Sequence, residues 1–161
     1  MRPSGQILAF ALAGAMAVVV SGCSDHDEHA GHDHAKGHAH AAPHGGTLVE
    51  LGSHQGNVEF LRDEAAGKLT AYILDAHAEN FVRVPLESFT LRATVAGKEE
   101  TLTFKAVGNT VTGEKPGDTS QFEASADWVK TTANFDAVLP QLAVKGTTFT
   151  DIKFNFPKGS E

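Results

Sequence analysis

The chain of 161 residues is poor in cysteine and in basic residues. Its single cysteine excludes an intrachain disulfide and a zinc site built from several thiolates. Thirteen Lys and Arg stand against 20 Asp and Glu, a net charge of −7. This balance argues against nucleic acid as a partner, because phosphate binding needs a basic surface. The N-terminal apolar run at 7–20 would span about 21 Å as a helix, which is short of a membrane core of about 30 Å.

Residues 1–22 are predicted to be a removable lipoprotein signal peptide, because the apolar run has the length of a secretory h-region. The sequence that follows, Val20-Ser21-Gly22-Cys23, resembles the lipobox of bacterial lipoproteins. In that family the cysteine is lipidated and becomes the mature N-terminus. The resemblance implies a membrane anchor at Cys23 in the cell envelope, facing the periplasm, and Ser24 favours the outer over the inner membrane. The cell surface is the alternative location, and a chance cysteine behind an ordinary signal peptide is the competing interpretation.

Nine histidines are the unusual feature of the composition, and seven of them lie between His26 and His44. Residues 23–43 comprise the lipidated cysteine and a tract of His, Asp, Ala and Gly without apolar periodicity, which predicts disorder. Neutral imidazole binds Zn(II), Ni(II), Co(II) and Cu(II), and the interleaved acids add oxygen ligands. The predicted metal ligands are His26, His29, His32, His34, His38, His40 and His44.

The tract is predicted to bind several divalent transition-metal ions with little selectivity, zinc first among them. A mobile chain loses conformational entropy when it wraps an ion, so the affinity should be moderate. The mature chain lacks the free sulfur ligands that Cu(I) prefers, which argues against a Cu(I)-specific role. The competing interpretation is a passive tether that lifts a domain off the membrane.

Residues 44–158 are predicted to form an all-β domain, followed by a tail at 159–161. Apolar and polar residues alternate cleanly at 88–95 and again beyond the Ala96-Gly97-Lys98 turn, which predicts a hairpin. Further strands are predicted at 47–51, 57–62, 68–75, 82–84, 121–124, 135–139 and 152–156. Eight or nine short strands and nine domain phenylalanines favour an Ig-like β-sandwich, with a small β-barrel as the alternative.

Two local features qualify this pattern of strands. Phe149 is out of phase with the alternating strand that ends at Phe156, which predicts a bulge or an earlier strand boundary. Helical signal is limited to a turn or two near 127–132, and 108–119 is a long polar loop.

The domain histidines suggest a second site. Hairpin geometry places His54 at the tip of the first turn and His77 beside it, with Asp75 on the same strand parity. These side chains form either a His-His-carboxylate metal site or a solvent-facing group, and we favour the second interpretation. His44 lies about 17 Å away, beyond the other end of the first strand. It is either the last ligand of the tract or an anchor, and Glu59 is expected to be a solvated sheet residue.

The segments PHGGTLVELG at 43–52 and GKLTAYILD at 67–75, with Glu59 between them, follow a His-rich leader. This arrangement resembles a group of small bacterial His-rich secreted proteins and lipoproteins. Similar leaders precede periplasmic components of divalent-metal efflux systems. The resemblance covers residues 26–107 and implies an envelope location and metal handling, with His44 as the matched motif histidine.

Together these features predict an envelope-anchored lipoprotein that binds and buffers divalent transition metals and serves a metal transporter or efflux component. The alternative is a structural or protein-interaction β-sandwich with the tract as a passive tether. An enzyme is not predicted, because the sequence contains no nucleophile elbow, phosphate loop or HExxH helix.

Metal binding by the tract should depend steeply on pH. Histidine titrates near pH 6.5, and a protonated imidazole cannot bind a metal ion. A peptide of residues 24–44 should therefore bind Zn(II) far more weakly at about pH 5.5 than at about pH 7. Calorimetric titration at the two pH values measures the difference, and equal affinities would contradict the prediction.

Overall fold

The structure, a computed structural model, describes residues 40–160. The predicted signal peptide at 1–22 and the lipidated Cys23 lie outside the described residues. The same is true of five tract histidines, which are His26, His29, His32, His34 and His38. Within residues 40–160, no helix is both long enough and apolar enough to cross a membrane.

The domain is all-β, as predicted, with eight antiparallel strands in one nearly closed sheet. A short helix, α1 (Trp128–Thr131), lies where the sequence carries its weak helical signal. The strands are β1 (Thr47–Leu51), β2 (Gly56–Asp63), β3 (Lys68–Leu74), β4 (Ser88–Val95), β5 (Lys98–Ala106), β6 (Gln121–Ser125), β7 (Phe135–Val144) and β8 (Thr147–Phe156).

The strand order is β1-β2-β3-β6-β5-β4-β7-β8, so one continuous sheet contains every named strand. This arrangement is compatible with the barrel alternative. The hairpins β1–β2, β2–β3, β4–β5 and β7–β8 pair strands that are neighbours in the chain. Long connections then bring β3 beside β6 and β4 beside β7. The predicted short strand at 82–84 is wrong, because this segment makes only a hydrogen bond from Val82 N–H to the Ile73 carbonyl and an isolated bridge between Val84 and Thr119.

The two ends of the sheet meet where the chain beyond β8 folds against β1. The backbone N–H of Glu50 donates to Ser160 Oγ at 2.8 Å, and the Thr47 hydroxyl donates to the Pro157 carbonyl at 3.2 Å. Gly159 is buried against the carbonyl of Leu48. Residues 159 and 160, predicted to be part of a tail, thus join the two ends of the sheet.

The interior of the sheet is filled by the apolar side of each strand. On β4 the predicted alternation is present, since Phe89, Leu91 and Ala93 are all buried. Eight of the nine domain phenylalanines are in this core. Phe81 is the exception, because 51% of its surface is exposed.

The out-of-phase Phe149 lies within β8, which runs without interruption from Thr147 to Phe156. Phe149 pairs with Leu142, and both side chains are buried. The strand changes its buried face at Asp151, whose φ is 51°, opposite Pro140 on β7. Proline has no N–H for the ladder, so the pair is distorted there. The register is the same on both sides of the distortion, so neither an inserted residue nor a strand boundary is present.

The seam between β1 and the C-terminal segment should be sensitive to any added side chain. A Cβ on Gly159, whose φ is 94°, would overlap the Leu48 carbonyl, whereas one on Gly97, at φ 77°, would meet nothing within 4 Å. Both Ala substitutions carry the left-handed backbone penalty of about 1–2 kcal/mol. Gly159→Ala should lower the free energy of unfolding by about 1–3 kcal/mol more than Gly97→Ala, through overpacking.

Urea denaturation followed by Trp128 fluorescence measures both variants, with Gly97→Ala as the matched control. Equal losses of stability in the two variants would show that the seam does not depend on this contact.

Candidate functional site

The tract enters the domain through a tight turn at 42–45. Gly45 N–H donates to the Ala42 carbonyl at 3.0 Å, and Gly45 has a φ of 72°. Proline at the second position and glycine at the fourth suit a β-turn of this kind, and Pro43 and Gly45 occupy those positions. The turn reverses the chain, so that His40 lines a shallow cleft beside Glu50 of β1.

Glu59 on β2 holds this turn in place. Its side chain is 0% exposed, so the expectation of a solvated sheet residue is wrong. Oε1 of Glu59 accepts hydrogen bonds from the backbone N–H groups of His44, at 2.8 Å, and Gly46, at 2.9 Å. Oε2 lies 2.8 Å from Nδ1 of His44. Strand alternation directs Glu59 away from the core, as predicted, but the 44–46 backbone covers it on the outer face.

Gly46 is required by the closeness of this contact. A Cβ at this position would lie 2.6 Å from the carbonyl oxygen of Phe60 and 2.9 Å from Cγ of Glu59. Real Cβ atoms do not approach that closely, because the repulsion is too steep. The second glycine of the HGG segment therefore lets the backbone lie directly against β2.

The His44 ring is packed between aromatic side chains at the edge of a second cleft of about 480 Å³. It stacks on Tyr72 with ring centroids 4.3 Å apart, and it lies 5.6 Å from the ring of Phe81. A carboxylate partner favours the tautomer with its proton on Nδ1, which leaves the lone pair on Nε2. No residue within 40–160 hydrogen-bonds to Nε2. His44 thus acts as an anchor and keeps one nitrogen available to a metal ion.

The other groups of this cleft pair largely with one another. Arg83 lies 3.9 Å from a Glu114 oxygen and 3.4 Å from Asp118. Burial raises the pKa of Glu114, but hydrogen bonds from Ser120 and Thr112, together with the Arg83 charge, outweigh it and lower that pKa overall.

Tyr72, behind the His44 ring, is electrostatically disfavoured as an anion. Burial raises the pKa of its phenol, and the nearby carboxyl groups of Glu123 and Glu59 raise it further. Tyr72 therefore stays protonated at neutral pH and acts as a packing surface for His44 rather than as a reactive group.

A second group of histidines lies at the far end of β1. The ring centroid of His40 is 5.6 Å from that of His77 and 6.0 Å from that of His54. His40 is predicted to belong to the disordered tract, whereas the reversal at 42–45 places it against the domain. The local signal for this reversal is the Pro43-His44-Gly45-Gly46 segment, since proline and glycine mark turns.

Asp75 is not assembled with His54 and His77 as the predicted third ligand. Its Oδ1 accepts from Glu79 N–H at 3.0 Å and its Oδ2 from the Asn80 amide at 2.7 Å. The Asn80 hydrogen bond, reinforced by backbone N–H groups, lowers the pKa of Asp75 to about 2. The Asp75 carboxylate thus stabilises the 75–80 turn, in which His77 is exposed.

Residues 40–160 contain no group of three or more His, Cys, Asp or Glu side chains already placed to hold a metal ion. Comparisons with protein-family models, curated proteins and solved structures found no match for this chain.

The contact between His44 and Glu59 should contribute measurably to the free energy of unfolding of the metal-free protein. Removing the His44 ring leaves the buried Glu59 carboxyl without one hydrogen-bond partner, so His44→Ala should lower the free energy of unfolding by about 1–3 kcal/mol. His77→Ala, which removes an exposed ring, should change it by less than about 0.5 kcal/mol.

Both values come from urea denaturation of the full chain in the presence of a chelator. If the two substitutions have the same small effect, the contact between His44 and Glu59 is not what holds the turn.

Proposed function

We propose that this chain is an envelope-anchored lipoprotein that binds and buffers divalent transition metals, zinc above all. The observation that carries the proposal is the concentration of seven of nine histidines at 26–44, directly behind Cys23. Lipidation of that cysteine would hold the tract at a membrane surface, where ions enter or leave the envelope.

The composition of the tract supports metal binding over a passive tether. A spacer needs only flexible, soluble residues such as Gly, Ser and Pro. This tract instead carries His-x-His pairs at 32–34 and 38–40, among four acidic residues at 25, 27, 28 and 33. Imidazole and carboxylate together form the ligand set of Zn(II) and its neighbours.

The junction with the domain supports the same proposal. Glu59 orients the His44 ring through Nδ1 at 2.8 Å, the arrangement by which a carboxylate commonly positions a metal-binding histidine. The last residues of the tract lie against the domain at His40, whose ring is within 6.0 Å of two further histidines. The end of the tract at His40 therefore lies close to the imidazole rings of His54 and His77.

We infer that the ions are exchanged with a metal transporter or efflux component. If the tract is disordered, as its composition predicts, its affinity is moderate because ordering the chain costs entropy, and moderate affinity permits release to a tighter site. No catalytic role is proposed, and no nucleic-acid partner, since the net charge is −7.

The test is to count bound metal on the full lipidated protein in detergent. Substituting Asn for His26, His29, His32, His34 and His38 removes five of the seven tract histidines without changing the length or net charge. Bound zinc should fall by roughly two-thirds, in proportion to the ligands removed. Native mass spectrometry and elemental analysis measure the stoichiometry.

A matched control substitutes Asn at the acidic positions 25, 27, 28 and 33, which should lower capacity far less. Unchanged zinc stoichiometry in the histidine variant would overturn the proposal. If that variant also retains a protein partner in a pull-down, the tract acts as a tether for an interaction domain.

A further inference from the structure

We propose that His40, His54 and His77 form a discrete site for one divalent transition-metal ion. This inference rests on the proposed metal-binding function and adds an ordered site to it, at the end of the sheet that holds the turns at 52–55 and 75–80. The metal binding proposed for the tract rests on its composition, whereas this site draws its ligands from three positions that the structure describes.

The separations of the His40 ring from the other two rings are close to what a single ion requires. A zinc–nitrogen bond is about 2.0–2.1 Å long, so two imidazoles on one tetrahedral ion have their centroids about 5 Å apart. The observed separations are 5.6 Å for His40 and His77 and 6.0 Å for His40 and His54. Rotations about the side-chain bonds, with shifts of about 1 Å, would bring the nitrogens onto one ion.

In the part of the chain that the structure describes, the ring nitrogens of the three histidines make no hydrogen bond that would compete with a metal ion. Within residues 40–160, neither His40 nor His77 makes a side-chain hydrogen bond, and the His54 ring only approaches Glu50, at 3.8 Å. The His54 side chain is 53% exposed, and His77 is exposed as well. His44 differs from them because Glu59 occupies its Nδ1.

The backbone holds each ligand in place by a separate local device. His54 has a φ of 52° and donates its N–H to Glu50 at 2.8 Å. His77 lies in the turn that the Asp75 carboxylate caps. His40 is placed by the reversal at 42–45. Ligands on such fixed supports lose less entropy on binding than ligands in a segment without a fixed fold, so this site should be filled before a tract that is predicted to be disordered.

Glu50 is positioned to supply a fourth, oxygen ligand. It lines the same shallow cleft as His40, and its Oε1 is 3.8 Å from Nδ1 of His54. Three imidazoles with one carboxylate or water make a four-coordinate set that suits Zn(II) and Co(II). Since His40 is also part of the tract, an ion in this site would fasten the end of the tract to the domain.

The test uses the full chain, with Co(II) and Zn(II) as probes. The double substitution His54→Asn and His77→Asn preserves polarity, and asparagine tolerates the left-handed φ at position 54. In the unsubstituted protein the first equivalent of Co(II) should give the strong visible absorption of a four-coordinate ion. The double variant should lose that band and bind its first Zn(II) roughly tenfold more weakly, with one ion fewer in total.

The matched control is the double substitution His32→Asn and His34→Asn, which also removes two histidines but should keep the Co(II) band. His40→Ala alone should abolish the band too, which covers the case in which the first variant folds poorly. If zinc binds the tract but both site variants retain the band, the discrete site is wrong and the proposed function stands. If no zinc binds at all, both are wrong.

Discussion

The buried carboxyl group of Glu59 is the contact on which the junction of tract and domain depends. It takes hydrogen bonds from two backbone N–H groups and lies 2.8 Å from the His44 ring. An unpaired carboxylate buried at that position would cost several kcal/mol, so the turn that satisfies it is strongly favoured. Gly46 permits the contact, since any side chain there would strike the Phe60 carbonyl. The path of the chain before β1 follows from this one requirement.

Because of that path, His44 contacts the buried Glu59, whereas His40 lies near the exposed rings of His54 and His77. His44 is committed to the fold through one nitrogen and is packed against Tyr72. His40, four residues earlier, is turned back along β1 toward His54 and His77. The same reversal that buries a polar contact thus brings the tract beside exposed imidazoles. Closure of the sheet at Ser160 and Glu50 holds β1, on which both groups depend.

Local patterns predicted much of the fold, and they failed where a distant segment mattered. The β4–β5 hairpin is evident in the sequence because alternation and the glycine turn are contained in adjacent residues. The burial of Glu59 is not evident from the sequence, because alternation shows which face a side chain occupies but not what covers that face. The extent of β7 and β8 was underestimated because both change their buried face at Pro140 and Asp151. The sequence spacing leaves Asp75 open as a candidate ligand, because its hydrogen bonds within the 75–80 turn are not evident from spacing alone.

The all-β class follows from short-range periodicity in the sequence, and the chemical character of the tract follows from its composition. Imidazole and carboxylate are ligand types for divalent transition metals whatever fold follows them. The tertiary structure sets the rest, namely the near closure of the sheet, the burial of Glu59 and the position of His40 beside His54 and His77. Those outcomes depend on contacts between residues far apart in the chain, where the gain from packing and hydrogen bonding must outweigh the entropy of bringing them together.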